Sequence, residues 1–396
     1  MNFLLSLLFF SISYITYQIN KRIISPIFIV PFLWGSFLLL FNIIPHSLYP
    51  LQFQFMFAIF LWISFFVSGG VLIHFLLERL TEDNFKKPNV KILSIYFWIV
   101  VLAAPIVIYL LISQAIASGP EFFFLALRSL NTGAEESESS FGILGYIFNF
   151  AYVVLLLHIQ NYDSSRKREK TKLFFLILLN VLLSLVTVSR TSFIFLVLAV
   201  FILLYFKGHI KKRHYFLGVS FGMGLMFLVT FLRAIASSEL GNESSLGDTM
   251  AIYLFGGMPA FDTVNQINES NFGAYTFRFF YAVFNSLGAE FEVKTTILDY
   301  TNVPILTNVY TVMYPFYRDF GMVGVAFFGA FYGFFFQGFY KLATKNRKIA
   351  QLAYAYLFPM ILLQFFGEYF FSNLSTFLQV LIFFSIPFFF KIKLCK

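Results

Sequence analysis

Apolar residues in this chain gather into long runs separated by short polar stretches. Eleven of these runs approach the ~20 residues that a helix needs to cross roughly 30 Å of hydrocarbon. They fall near 3–19, 24–44, 53–77, 92–113, 141–160, 173–189, 191–206, 215–233, 319–340, 349–367 and 374–390. The pattern predicts an all-α polytopic membrane protein of about eleven transmembrane helices. Residues 1–396 form a single membrane domain, with loops at 114–140 and 234–318 too long to be mere connectors.

Composition agrees. With 59% hydrophobic residues, 12% charged and a mean hydropathy of +0.80, the chain is too apolar for a soluble globular protein, where about 25% charged is usual. A net charge of +9 would suggest nucleic acid in a soluble protein, but here basic loops account for it, so no nucleic-acid partner is implied. The only cysteine, Cys395, excludes a disulfide framework, a cysteine-based metal site and a thiol nucleophile. The first apolar run lacks a basic leader and a small-residue cleavage site, so it is expected to be retained as a span.

The basic residues set the orientation. Lys21 and Arg22, Arg79 with Lys86, Lys87 and Lys91, the run 166–172, Lys207 with 211–213, the run 341–348, and Lys391, Lys393 and Lys396 occupy alternate loops. These loops are cytoplasmic by the positive-inside rule, which puts the N-terminus outside and the C-terminus inside. The opposite face holds Arg128, Arg190, Arg233, Arg278, Lys294 and Arg318, five arginines in six, whereas inside there are sixteen lysines to six arginines. That bias points to bidentate binding of phosphate or carboxylate, which the planar guanidinium suits better than an ammonium. The competing reading pairs each arginine with an outer-face carboxylate such as Glu290, Glu292 or Asp299.

Three places carry most of the chemistry. Arg190 sits in the turn Ser189-Arg190-Thr191 between two short spans, placing an ionised group near membrane depth, where a partner or a water-filled cavity is needed. In the second large loop, Tyr253–Asp262 and Tyr275–Tyr281 are aromatic segments too short to span, expected to lie in the interface or re-enter it. Tyr314-Pro-Phe-Tyr-Arg318-Asp319-Phe-Gly321 puts an adjacent Arg-Asp pair at the mouth of an apolar helix. Gly321, Gly324, Gly329 and Gly333 then line one helix and favour close packing. Glu368 reads as a lone carboxylate at the outer end of the tenth span. Phosphate-loop, dinucleotide-binding and His-Glu-x-x-His motifs are absent, and Glu290-x-Glu292 alone is weak evidence for a metal, so neither metal nor cofactor is expected.

At Ser189-Arg190-Thr191, at Gly256-Gly-Met-Pro-Ala-Phe261 and at Tyr314–Gly321 the chain resembles the oligosaccharide repeat unit polymerases, the Wzy-type enzymes of O-antigen and capsule synthesis. The resemblance implies a GT-C-like fold in the bacterial inner membrane. It also implies a glycosyltransferase that joins undecaprenyl-pyrophosphate-linked repeat units on the outer face, with membrane lipid around it and room for a chain-length regulator as partner. Under it, Arg190, Arg278 and Arg318 hold the pyrophosphate or a sugar anion, with Arg128 and Arg233 as further substrate contacts. Tyr314 belongs to the substrate-binding set, and Asp319, Asp262 and Glu368 are the candidate bases. Many relatives are described with twelve or more spans and both ends inside, a departure from the eleven read here. An O-antigen ligase and a flippase or transporter for lipid-linked glycans are the alternatives. Scarce outer-face histidine weighs against the ligase, and the missing repeat halves weigh against the transporter.

Overall fold

A computed structural model describes the chain apart from residues 1, 82–86, 118–122, 124–125, 128–144, 164–166, 188, 209–250, 253, 267–271, 296, 305 and 391–396. The helices are α1 (Asn2–Asn20), α2 (Pro26–Ile43), α3 (Phe53–Leu76), α4 (Val90–Ala117), α5 (Tyr146–Asn161), α6 (Lys167–Val186) and α7 (Arg190–Phe206). After these come α8 (Gly257–Phe261), α9 (Arg278–Ser286), a small hairpin of β1 (Thr301–Asn302) and β2 (Leu306–Thr307), α10 (Tyr314–Thr344), α11 (Lys348–Leu362) and α12 (Leu374–Phe389). Thr301 pairs with Thr307 in the antiparallel hairpin. Ten of the eleven apolar runs coincide with helices, and the run 215–233 lies outside the described residues. Among the described residues five helices, α1 to α4 and α10, are long and apolar enough to cross a membrane by length and composition. The architecture is that of an all-α polytopic membrane protein.

The chain forms two compact units, Met1–Glu82 with Ser244–Lys345 and Met360–Phe377, and Asp83–Glu243 with Asn346–Pro359 and Leu378–Lys396. In the second, α4, α5 and α6 pack pairwise. Phe193 of α7 is buried against Val181 and Leu185 of α6. Asn180 donates to the Ala151 carbonyl at 3.2 Å, pinning α6 to α5. Lys207, just past α7, donates to the carbonyls of Ile159 and Tyr162 at the end of α5, at 2.9 and 3.1 Å.

The first unit is organised on the seam between α3 and α10. The expected glycine packing is present: a Cβ on Gly333 would come within 1.8 Å of the Phe66 carbonyl oxygen, and one on Gly69 within 2.2 Å of the Ala330 carbonyl oxygen. Backbones approach closely only where side chains are missing. Gly333→Leu is therefore expected to lower the thermal midpoint of the detergent-purified protein, through overpacking of about 1–3 kcal/mol or more. An unchanged midpoint would show that the seam can open.

Two expectations change shape. The span expected at 349–367 ends at Leu362, and residues 363–373 run irregularly before α12. This backbone is held by protein rather than by helical periodicity. Fully buried Gln364 accepts from the indoles of Trp62 and Trp34 at 3.1 and 3.4 Å, and its carbonyl accepts from the Val312 amide at 2.8 Å. Non-helical backbone among apolar helices is stable only when its polar groups find such partners. The span expected at 319–340 begins earlier, at Tyr314, with Pro315 in its first turn, and is broken at Gly321, where φ is 61° and ψ is −150°. That region is essentially open to glycine alone. The break makes 314–320 a short arm distinct from the long helix behind it, and Arg318 and Asp319 ride on that arm.

The two aromatic segments of the large loop differ. All five residues of α8 are buried, with Phe261 edge-on to Phe55 of α3 at 6.1 Å, so Gly257–Phe261 is a core element. In α9 no residue is buried, and Phe280, Val283 and Phe284 are exposed together with Leu287 just beyond it.

Candidate functional site

The short arm of α10 carries Arg318 into the large loop. Its Nη1 donates to the Asn265 carbonyl at 3.0 Å, and its guanidinium lies over the Tyr275 ring, 5.7 Å from the centroid. Its Nε is buried and finds no acceptor among the described residues. A buried N–H without a partner is uncommon and calls for a ligand, a water or strain to explain it.

Tyr275 is the common platform. Lys294 Nζ approaches the same ring at 5.7 Å, and Tyr314 meets it edge-on at 5.8 Å. Two cations within about 6 Å of one ring centroid are in the range where the quadrupole attracts them. Asp319 holds the platform in place, its two carboxylate oxygens accepting from the amides of Tyr275 and Thr276 at 3.3 and 2.7 Å. The adjacent Arg-Asp pair thus divides its work, the cation facing the ring and the carboxylate clamping the turn that presents it.

Arg278 opens α9 and donates through Nε to the carbonyl of Lys294. Burial lowers the pKa of its guanidinium, a sign that the charge is held where water compensates it poorly. Neither Arg278 nor Arg318 has a carboxylate within ion-pair distance among the described residues, where the one such pair in this loop joins Lys294 to Glu292 at 2.8 Å. Simple pairing of each arginine with an acidic neighbour is therefore not what these two do.

Tyr275, Tyr314, Lys294, Glu292 and Asp299 line a polar cavity of about 250 Å³. Tyr310 packs against Tyr314 with the rings tilted and their centroids 4.5 Å apart, and donates to the Asp299 carbonyl at 3.0 Å. The Tyr310 phenol is pushed above its ordinary pKa by burial and then by the Asp299 charge, with Arg318 opposing. Among the described residues no group of three or more His, Cys, Asp or Glu could hold a metal ion.

Of the residues singled out in the sequence, Tyr314, Arg318, Asp319 and Arg278 come together here. Asp262 does not join them. Its carboxylate accepts from the amides of Gln52 and Phe55 at 2.7 and 2.8 Å, capping α3, and burial raises its pKa against those two bonds. Removing such a cap costs about 1 kcal/mol, so Asp262→Ala is expected to lower the unfolding midpoint. Glu368 is not the lone carboxylate the sequence suggested. It accepts from the amides of Phe370 and Phe371, each at 2.7 Å, from the Ser372 amide at 2.8 Å and from the Tyr332 hydroxyl. Arg190 is the first residue of α7, in the second unit, behind Ser189, whose hydroxyl accepts from the Ser192 amide as N-cap at 3.4 Å. The Arg190 side chain, Arg128 and Arg233 lie outside the described residues. Tyr275, Lys294 and Asp299 were not among the candidate site residues of the sequence. The one available signal was Lys294, a single lysine among arginines.

The fold and this cavity define the class: a multi-pass helical membrane protein with a polar, cation-flanked cavity in its large loop. A family model described as putative O-antigen polymerase matches residues 4–365, and the chain belongs to that family. It is similar to an O-antigen polymerase of Shigella dysenteriae, with 26% identity over 215 residues, 53% of this chain and 54% of that relative. The chain thus spans about half the length of the curated relative that it matches. No solved structure matches it.

Proposed function

We propose that the protein polymerises undecaprenyl-pyrophosphate-linked oligosaccharide repeat units into surface polysaccharide, O-antigen or capsule, on the outer face of the inner membrane. The observation that carries this reading is the pair Arg278 and Arg318. Both lack a carboxylate partner among the described residues, and they flank one polar cavity through Lys294 and Tyr275. Family membership favours glycan chemistry, and the alternation of lysine-rich loops with this arginine-bearing one supports an outer-face cavity.

In the reaction a sugar hydroxyl of one repeat attacks the anomeric carbon of the sugar that links another glycan to its lipid pyrophosphate. The bond to the pyrophosphate oxygen breaks, and the leaving group takes the electron pair. Charge grows on that leaving group, so guanidinium groups already in place stabilise the transition state more than the ground state. The exposed apolar side chains of α9 rest in the lipid interface and bring Arg278 to headgroup level, where a pyrophosphate on a lipid tail is found. A chain-length regulator is the protein partner this scheme leaves room for.

Deletion of the gene and gel analysis of surface glycan length test the proposal. Glycan capped with a single repeat is the expected result. Long polymer left unattached would mean a ligase instead, and loss of lipid-linked repeats from the outer leaflet would mean a flippase.

A further inference from the structure

A glycosyl transfer needs a group to take the proton of the attacking hydroxyl, and the hydrogen bonds of this unit sort its carboxylates. Asp262 is spent on two amides of α3, Asp319 on the amides of Tyr275 and Thr276, and Glu368 on three amides and a phenol. A carboxylate committed to backbone donors is poorly placed to accept a further proton, because doing so would break bonds that hold the fold. Glu292 is tied to Lys294. Asp299 differs. It lines the cavity, its backbone carbonyl is fixed by Tyr310, and its carboxylate accepts no hydrogen bond among the described residues. The charges of Asp299 and Arg318 both bear on the Tyr310 and Tyr314 rings.

The cavity also has the character of a sugar subsite. Its 250 Å³ falls short of the roughly 300–1,000 Å³ of sites for drug-sized ligands, which suits one ring rather than a whole repeat unit. Tyrosine faces, a lysine, two carboxylates and the Thr295 position offer both donors and acceptors to hydroxyl groups.

Resting on the polymerase reading, we propose that this cavity receives the terminal sugar of the acceptor glycan, and that Asp299 is the base that accepts the proton of its attacking hydroxyl. The new glycosidic bond forms at the acceptor oxygen, its proton passes to the Asp299 carboxylate, and the pyrophosphate held by the arginines departs with the electron pair of the broken bond.

The test uses the full-length protein in liposomes with lipid-linked repeat units isolated from cells lacking the gene, and reads the initial rate of dimer formation. Asp299→Asn and Asp299→Ala are expected to lose about 10²–10⁴-fold in rate, the usual contribution of a positioned base. Added formate should restore the Ala variant by at least about tenfold, because it supplies a carboxylate to the vacated space, and should leave Arg318→Lys unimproved. Binding of undecaprenyl pyrophosphate should be the same in Asp299→Asn as in the wild type. An active Asp299→Asn beside an inactive Arg318→Lys overturns the assignment of the base and leaves the polymerase reading standing. Loss in Asp299→Ala that formate does not restore makes the residue structural and overturns the assignment as well. Full activity in both Asp299→Asn and Arg318→Lys overturns the assignment of this cavity, whereas a wild type that forms no dimer removes the polymerase reading beneath it.

Discussion

Cells carrying Arg318→Lys are expected to display single-repeat glycan in place of long polymer, with the protein at its ordinary level in the membrane. Lysine keeps the charge but loses the planar fork that lies over Tyr275 while donating to Asn265. It also loses the buried Nε–H that has no acceptor among the described residues. Removing one preorganised donor at a developing anion costs about 10²–10³ in rate, enough to halt a process that must repeat many times per chain. Gel analysis of surface glycan checks this, and long polymer in the variant would show that Arg318 only supports the loop.

Gly321→Val is expected to give nearly the same phenotype from a residue that touches no substrate. A side chain at φ 61° and ψ −150° is strained by about 1–3 kcal/mol. Its Cβ would also lie 2.6 Å from the Gln266 side-chain oxygen. The strain is relieved by turning the 314–320 arm, which carries Arg318 away from Tyr275 and Asp319 from the amides it clamps. Displacement of a positioning group by about 1 Å can cost 10²-fold. Val323→Ala, at a position 78% exposed, is the matched control and should polymerise normally. The comparison is made on surface glycan length at equal membrane levels, and normal polymer in Gly321→Val would mean that the arm's direction does not matter.

The helices were legible because long apolar runs leave few alternatives, and ten of the eleven runs coincide with a helix. What hydropathy could not show was where an apolar run stops being helical. Leu363–Phe371 continues the aromatic, largely apolar character of the helix before it, yet it runs irregularly because Trp34 and Trp62 reach Gln364 and backbone amides reach Glu368. Those partners are distant in sequence, and no local periodicity announces them. Asp262 and Glu368 invited a chemical role for the same reason: an acidic residue in apolar sequence looks functional until the amides around it are seen. The Arg318–Asp319 pair was legible as a candidate, whereas the grouping of Tyr275, Lys294 and Asp299 around it was not. Their common cavity arises from long-range contacts, the Asp319 clamp spanning 43 and 44 residues.

The gripping of a lipid pyrophosphate by Arg278 and Arg318 is tested most directly by equilibrium binding of undecaprenyl pyrophosphate to the purified full-length protein, without any acceptor. Each single lysine variant should bind at least about tenfold more weakly than the wild type, the loss of one charge-assisted hydrogen bond worth about 1.5–3 kcal/mol. Undecaprenyl alcohol should discriminate little among the three proteins. Equal affinity of wild type and both variants for the pyrophosphate would contradict it.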